Sequence, residues 1–298
     1  MEERIIICGG TGFIGSALAQ SLSASGYKVL IVTRTPKTGE YGWDHLAEIV
    51  EGSLAVVNLS GRSIACKFTK QNKQKILSSR IDSAQRVENA INQCIVKPKK
   101  WINASATGYY GNRGQEVLNE SSAPGTNFSA KTCVTWEDAC LNSDAQTEKV
   151  VIRIGVVLSA HGGVLSKLIP LVKAFLGGTA GNGKQWISWI HLVDIVKMIQ
   201  WTIEHETPSI VSGSTTSPVQ NSIFMTWLRR IHRRPWSPPI PTLLLILVGK
   251  VFGPDASLVL DSYRVVPSVL PGFSFEFPTL ESINLSDLSQ PSELRSTL

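Results

Sequence analysis

The run Arg4-Ile5-Ile6-Ile7-Cys8-Gly9-Gly10-Thr11-Gly12-Phe13-Ile14-Gly15 constrains this chain more than any other stretch. Ile5 to Ile7 are apolar and β-branched without alternation, which suits a parallel strand buried on both faces. Ser16 to Ala24 then read as a helix, with Ala17, Leu18 and Leu22 at helical spacing. Strand, glycine turn and helix form the setting of a dinucleotide fingerprint. Gly9 permits the tight turn, Gly12 lets backbone approach a pyrophosphate, and Gly15 lets helix pack on strand. The helix amino end, with its free N–H groups, then faces the phosphates, so the turn from Gly9 through Thr11, Gly12, Phe13, Ile14 and Gly15 is the expected cofactor cradle.

Lys28 to Thr33 is a second buried strand, followed by Arg34. An acid here would hold the ribose 2′-hydroxyl of NAD. Arg34 instead suits a 2′-phosphate, which guanidinium can grip through two parallel hydrogen bonds. NADP(H) is therefore expected over NAD(H). Thr35 to Gly52 is short and turn-rich, with little space for a further strand unit. Leu54 to Leu59 is the next strand, and Asn58-Leu59-Ser60-Gly61 closes it where the adenosine side of a dinucleotide would run.

Thr69 to Cys94 reads as a long helix with Ile76, Leu77, Arg80, Ala84, Val87 and Ile91 on one face. Arg80 on that apolar face either reaches the cofactor or snorkels to water. Lys100 to Ala104 is a strand running into Ser105-Ala106-Thr107-Gly108-Tyr109-Tyr110-Gly111, whose hydroxyls would sit beside a nicotinamide. Asn112 to Ser129 reads as polar loop, Lys131 to Leu141 as a helix bearing Glu137, and Val150 to Leu158 as strand. A helix over Val164 to Phe175 and the segment from Gln185 to Asp194 follow, with a helix over Ile195 to Ile203. His191 either orders the loop before Asp194 or acts as a base, while Trp186 and Trp189 read as core aromatics, with the lining of a substrate pocket as the alternative. Beyond lie a helix over Asn221 to His232, a proline-rich crossing, and Leu243 to Val248, too short to span a bilayer and expected as a core helix. The polar tail after Leu280 is expected to fray.

Composition narrows the class. With 298 residues and 43% hydrophobic content, the chain can bury one large α/β core and a smaller lobe. The net charge of +6 is carried by scattered residues, and the densest group, Arg229 to Arg234, is too short to argue for nucleic acid. Five cysteines show neither a C-x-x-C pair nor metal spacing, so no metal site is expected and a reducing compartment is. The first strand starts within a few residues and leaves no room for a signal peptide. A cytoplasmic protein without membrane insertion is the expectation.

These stretches together resemble an extended or atypical short-chain dehydrogenase/reductase. More narrowly, the chain resembles the NAD-dependent epimerase-like branch that carries a C-terminal domain of unknown function. The glycine turn, Asn58 to Gly61, Ser79-Arg80 and Ser105 to Gly111 carry the likeness. So do Arg153 to Leu158, Trp189 to Asp194, Arg264 to Pro267 and Gly272 to Pro278. Cyanobacterial and plastid relatives of this branch, the SulA-like proteins, are linked to cell or organelle division. The resemblance implies a Rossmann-type, doubly wound parallel sheet formed by residues 1–160 with a return near 190–205. Residues 161–189 and 206–298 would make a smaller, mainly helical substrate lobe.

One departure bears on chemistry. The family's Tyr-x-x-x-Lys pair belongs eight and four residues before Glu137, where this chain has Ser129 and Cys133. Phenol is a poor acid or base near neutrality unless an ammonium favours the phenolate. Lys131 is two residues off, about 200° round a helix. Two readings result. In one, the chain is an NADP(H)-dependent oxidoreductase or epimerase in which Ser105 or Thr107 binds a carbonyl, Tyr109 donates the proton and Lys131 assists from a reshaped turn. In the other, it is a catalytically inactive NADP(H)-binding module that signals NADPH state or holds a protein partner. The substrate is unidentified; related folds often dimerise through long helices such as Thr69 to Cys94, and the partner is either a second copy, as a homodimer, or another protein.

Overall fold

The computed structural model describes residues 3–251 and 253–289. The chain runs β1 (Arg4–Cys8), α1 (Phe13–Ala24), β2 (Lys28–Val32), α2 (Leu46–Val50), β3 (Ala55–Asn58), α3 (Lys70–Gln93) and β4 (Lys100–Ala106). It continues through β5 (Val117–Leu118), α4 (Phe128–Leu141), β6 (Glu148–Ile154), β7 (Val156–Leu158), α5 (Leu165–Lys173), β8 (Trp186–Ile187), β9 (Trp189–His191) and α6 (Leu192–Glu204). The last elements are β10 (Ile210–Gly213), β11 (Val219–Gln220), α7 (Asn221–Ile231), α8 (Thr242–Val251), α9 (Ser257–Leu260), β12 (Arg264–Val265) and α10 (Leu285–Ser289).

Six strands form one parallel sheet in the order β10-β6-β4-β3-β1-β2. Strand alternation divides the core. Ile5, Ile7, Ala55, Val57 and Ile102 face α1 and α6, with Leu18, Leu22, Ile195 and Ile199 packed over them. Ile6, Cys8, Val56 and Trp101 face the other way, under Leu46, Ile49 and Val50 of α2 and Ala84, Val87 and Ile91 of α3. Order reverses at β1, which pairs with β2 on one side and β3 on the other, so the crevice above its carboxyl end is where such sheets bind ligands.

Caps fix the helix starts. Thr69 accepts a hydrogen bond from the Asn72 N–H at 3.2 Å, and Asn127 accepts one from the Ala130 N–H at 2.9 Å. His191 does the same through Nδ1 for the Val193 N–H at 3.3 Å. Both oxygens of the buried Asp194 then accept N–H bonds from Glu276 and Phe277, at 2.7 and 3.0 Å, and so clamp the terminal segment onto α6.

Several expectations need correction. The stretch 35–52 holds the short helix α2, and Tyr41 pairs briefly with Val32 where a further strand would stand. The supposed loop 112–129 contains β5, which pairs with β12 from the far end of the chain. Helix α4 begins at Phe128, three residues early, because Asn127 supplies the cap. The sheet continues past residue 205 to include β10. Leu243 to Val248 is no core helix, since no residue of α8 is buried. Leu280, Ile283 and Leu288 pack into the lobe core rather than fraying, and the tail beyond residue 289 lies outside the described residues.

Candidate functional site

The glycine turn is shaped by backbone. Gly9 has φ +82°, a conformation that costs an L side chain but not glycine. Its N–H donates to Val32 O at 2.9 Å, and its carbonyl accepts from Gly12 N at 3.0 Å. A Cβ at Gly15 would lie 2.4 Å from Gly9 O and 2.8 Å from Gly10 Cα, so α1 presses on the turn as only glycine allows. Thr11 and Gly12 stand exposed at the start of α1, and no side chain caps its first N–H groups. These groups, with the positive end of the helix, form a receptor for an anion. Phe13 and Ile14 are half-buried, and Gly162 and Gly163 close over the Phe13 ring.

Arg34 is exposed just beyond β2, on the strand whose Val32 carbonyl holds Gly9. From the other side, the turn at Leu59 and Ser60 comes within 3.1 Å of where a Gly9 Cβ would be. Asn58 is corrected here. It is wholly buried, donating to Ser83 Oγ at 3.2 Å and Asn103 Oδ1 at 2.8 Å while accepting from Ser60 N at 3.1 Å. Its side chain holds the Leu59–Gly61 turn and has no atom left for a ligand. Arg80 neither snorkels nor lies free. It donates to the carbonyls of Arg62 and Ile76, both at 3.0 Å, beneath Gly61 and 4.9 Å over the Trp136 ring.

At the end of β4 the surroundings are ionic. Ser105 donates to Glu137 Oε1 at 2.6 Å, and Arg153 pairs with both oxygens of Glu137 at 2.9 and 2.8 Å. Arg153 also donates to Tyr110 Oη at 3.1 Å and Glu120 O at 3.0 Å, and its guanidinium lies 3.4 Å over the Tyr109 ring. Arg153 is 1% exposed and Glu137 3%. Burial alone would lower the Arg153 pKa, but the Glu137 carboxylate outweighs it and holds the cation well above its ordinary value. The Ser105 hydroxyl is thus committed to a carboxylate, which corrects its expected role as a carbonyl binder. This ion pair went unrecognised in the sequence, although an arginine inside the apolar run Val150 to Ile154 was its signal.

Ser129 and Cys133 abut Gly108, whose Cβ position lies 3.5 Å from Ser129 Cβ and 3.9 Å from Cys133 Sγ. Burial raises the Cys133 thiol to about 11, and the Glu137 carboxylate adds to this. Lys131 projects into solvent from a regular turn of α4, so no reshaped turn brings it inward. Thr107 is buried near the same strand end. A cleft of about 470 Å³ opens at Ser129, bordered by Lys73, Arg113, Asn127, Phe128 and Asp261. His191 is buried, and desolvation lowers it to about 4; its ring packs on Phe277 at 4.1 Å. It orders the start of α6 and lies with the lobe core. Trp189 is fully buried, as expected, whereas Trp186 is partly open and stacks with Arg264 at 4.3 Å. No group of metal-ligating side chains occurs among the described residues.

Residues 5–212 match the NAD dependent epimerase/dehydratase family. The chain is 32% identical over 292 residues to the epimerase family protein SDR39U1 homolog, chloroplastic, of Arabidopsis thaliana, covering 93% of this chain and 83% of that protein. A crystal structure of human epimerase family protein SDR39U1 (isoform 2) with NADPH superimposes with a TM-score of 0.86 at 31% identity, covering 94% and 97% of the two chains. The nucleoside-diphosphate sugar epimerase of Corynebacterium glutamicum gives 0.78 at 28% identity, covering 97% of this chain and 59% of that one. The chain belongs to the NAD dependent epimerase/dehydratase family.

Proposed function

We propose that this member of the NAD dependent epimerase/dehydratase family is an NADP(H)-dependent oxidoreductase or epimerase. The observation that carries the reading is the open amino end of α1, wrapped by the glycine turn with Arg34 exposed one strand away. The N–H groups would hold the pyrophosphate and Arg34 the 2′-phosphate, and the nicotinamide would then lie over the end of β4. The relative solved with NADPH supports the choice of cofactor. When bound, the cofactor supplies hydride exchange; the chain's own residues position it and border the cleft at Ser129. Tyr109, its ring fixed under Arg153, is the group proposed to exchange a proton with substrate. A reducing, cytoplasmic setting belongs to this reading and is supported by five free thiols.

Turnover tests it. Read as NADPH consumption with a carbonyl compound or as epimerised product from a nucleotide sugar with NADP+ supplied, turnover should appear with at least one member of a panel of such compounds, and Tyr109→Phe should abolish it. Unchanged turnover in that variant would remove Tyr109 from the mechanism.

A second reading is favoured by a specific observation. With Ser105 bonded to Glu137 and Lys131 facing water, the chain would bind NADP(H) without turnover and serve as a regulatory or protein-binding module. A link to cell division belongs to this second reading and rests on resemblance alone. Tight NADPH binding with neither NADPH consumption nor epimerised product across the panel would select it.

A further inference from the structure

Helix α8 presents an apolar face that no described residue covers. Leu243, Leu244, Leu247, Val248 and Val251 are 77, 48, 57, 46 and 51% exposed, and their spacing places them on one side of the helix. Only Leu245 and Gly249 turn inward, Gly249 against Pro254. The surface extends beyond the helix. Residues 173–181 and 234–242 run side by side through the Ala180–Ile240 bridge and the bond from Arg234 Nε to Lys173 O at 3.1 Å. They add Phe175, Leu176 and Trp236, which are 48, 55 and 66% exposed. Phe175 also has φ +61°, a left-handed conformation that is uncommon for a bulky residue. At the end of α5 the chain thus holds a strained aromatic outward where glycine would sit freely.

Charge identifies what covers this face. Residues 161–189 and 207–254 contain eight Lys and Arg and no Asp or Glu. Positive charge that reads as scattered along the whole chain is therefore concentrated in this part of the lobe. Lys173, Arg230, Arg233 and Lys250 are exposed, and among the described residues none of the eight pairs with a carboxylate. A second copy of the same face would bring like charges together. An apolar helix that carries Lys250 and adjoins the strip with Lys173 and Arg234 instead matches an anionic lipid surface, with the side chains in the acyl boundary and the cations at the headgroups. No described helix is long and apolar enough to cross a membrane.

We infer that the protein docks on the surface of anionic lipid bilayers through α8 and the adjoining Phe175–Leu176 and Trp236 segments. The inference stands independently of the proposed reaction. The test is co-sedimentation of the full chain with phosphatidylglycerol-containing vesicles and with pure phosphatidylcholine vesicles. Binding should be about tenfold or more stronger to the anionic vesicles and should weaken as salt is raised. L244D/L247D, which changes two exposed side chains, should abolish binding while far-UV circular dichroism stays unchanged. R230E/K250E should reduce it by a similar factor and gives the same reading if the first variant misfolds. Absence of vesicle binding, equal binding to both vesicle types, or full binding by both variants would overturn the inference. A wild-type dimer that becomes monomeric in L244D/L247D, without vesicle binding, would assign the face to a second copy instead.

Discussion

Around Gly9 to Gly15 the chain keeps side chains away, so that backbone N–H groups and a helix end face the crevice. Around Ser105 it does the reverse, filling the strand end with Ser105, Glu137, Arg153 and Tyr110, which hydrogen-bond one another, and with the Tyr109 ring lying against the Arg153 guanidinium. The first region can accept an anion without rearranging. The second uses Ser105, Glu137, Arg153 and Tyr110 to hold β4, β6 and α4 together. One end of the crevice is thus built from open backbone groups and the other from side chains bound to one another, with Tyr109 held beside them by its ring.

The largest effect should come from breaking the ionic region. Glu137→Ala leaves Arg153 as a buried, uncompensated cation and is expected to lower unfolding stability by about 3–5 kcal/mol, measured by urea denaturation. Glu137→Ala/Arg153→Met should recover most of that loss. NADPH binding should survive in the double variant, which separates the two regions. Next comes the cradle itself. Gly15→Val places atoms inside the Gly9–Gly10 backbone and should weaken NADPH binding by about a hundredfold or more in calorimetry. Gly12→Ala, whose Cβ would lie 3.2 Å from Gly9 O, is the milder version and should cost less.

A smaller effect belongs to a third polar cluster, which is buried like the ionic region but still titrates. Burial lowers His191 to about 4, partly opposed by the carboxylates of Asp287 and Glu276. The stability this residue contributes is present above its unfolded value near 6.5 and is lost as pH falls toward 4. Burial raises Asp194 to about 6, against its backbone N–H bonds, so its contribution is present at low pH and lost as pH rises through 6. The two nearly offset between pH 4 and 6.5. His191→Asn can retain the cap and removes one arm, so at pH 5 it should gain about 2 kcal/mol relative to its own difference from wild type at pH 7.5. Equal differences at both pH values would show that His191 does not titrate with folding.

The sequence made the nucleotide end legible because glycine spacing and an uninterrupted β-branched run leave few alternatives. That Ser129 and Cys133 stand on α4 eight and four residues before Glu137 was equally readable. The commitment of Ser105 was not. A serine before a turn looks the same whether its hydroxyl meets a substrate or a buried Glu137, and only the β4–β6 register brings Arg153 opposite it. Nor did hydropathy reveal that α8 is exposed. Leu243 to Val248 has the composition of a core helix, and its setting depends on contacts made far away in the chain.

The contrast between the two regions rests on nucleotide binding at the backbone-built end, and the most direct test is titration of the purified chain with NADPH and NADH, repeated with Arg34→Ala. The account predicts about tenfold or greater preference for NADPH, with Arg34→Ala losing about 1.4 kcal/mol of NADPH affinity and leaving NADH unchanged. Failure to bind either nucleotide, or equal affinity for both in wild type and variant, would contradict it.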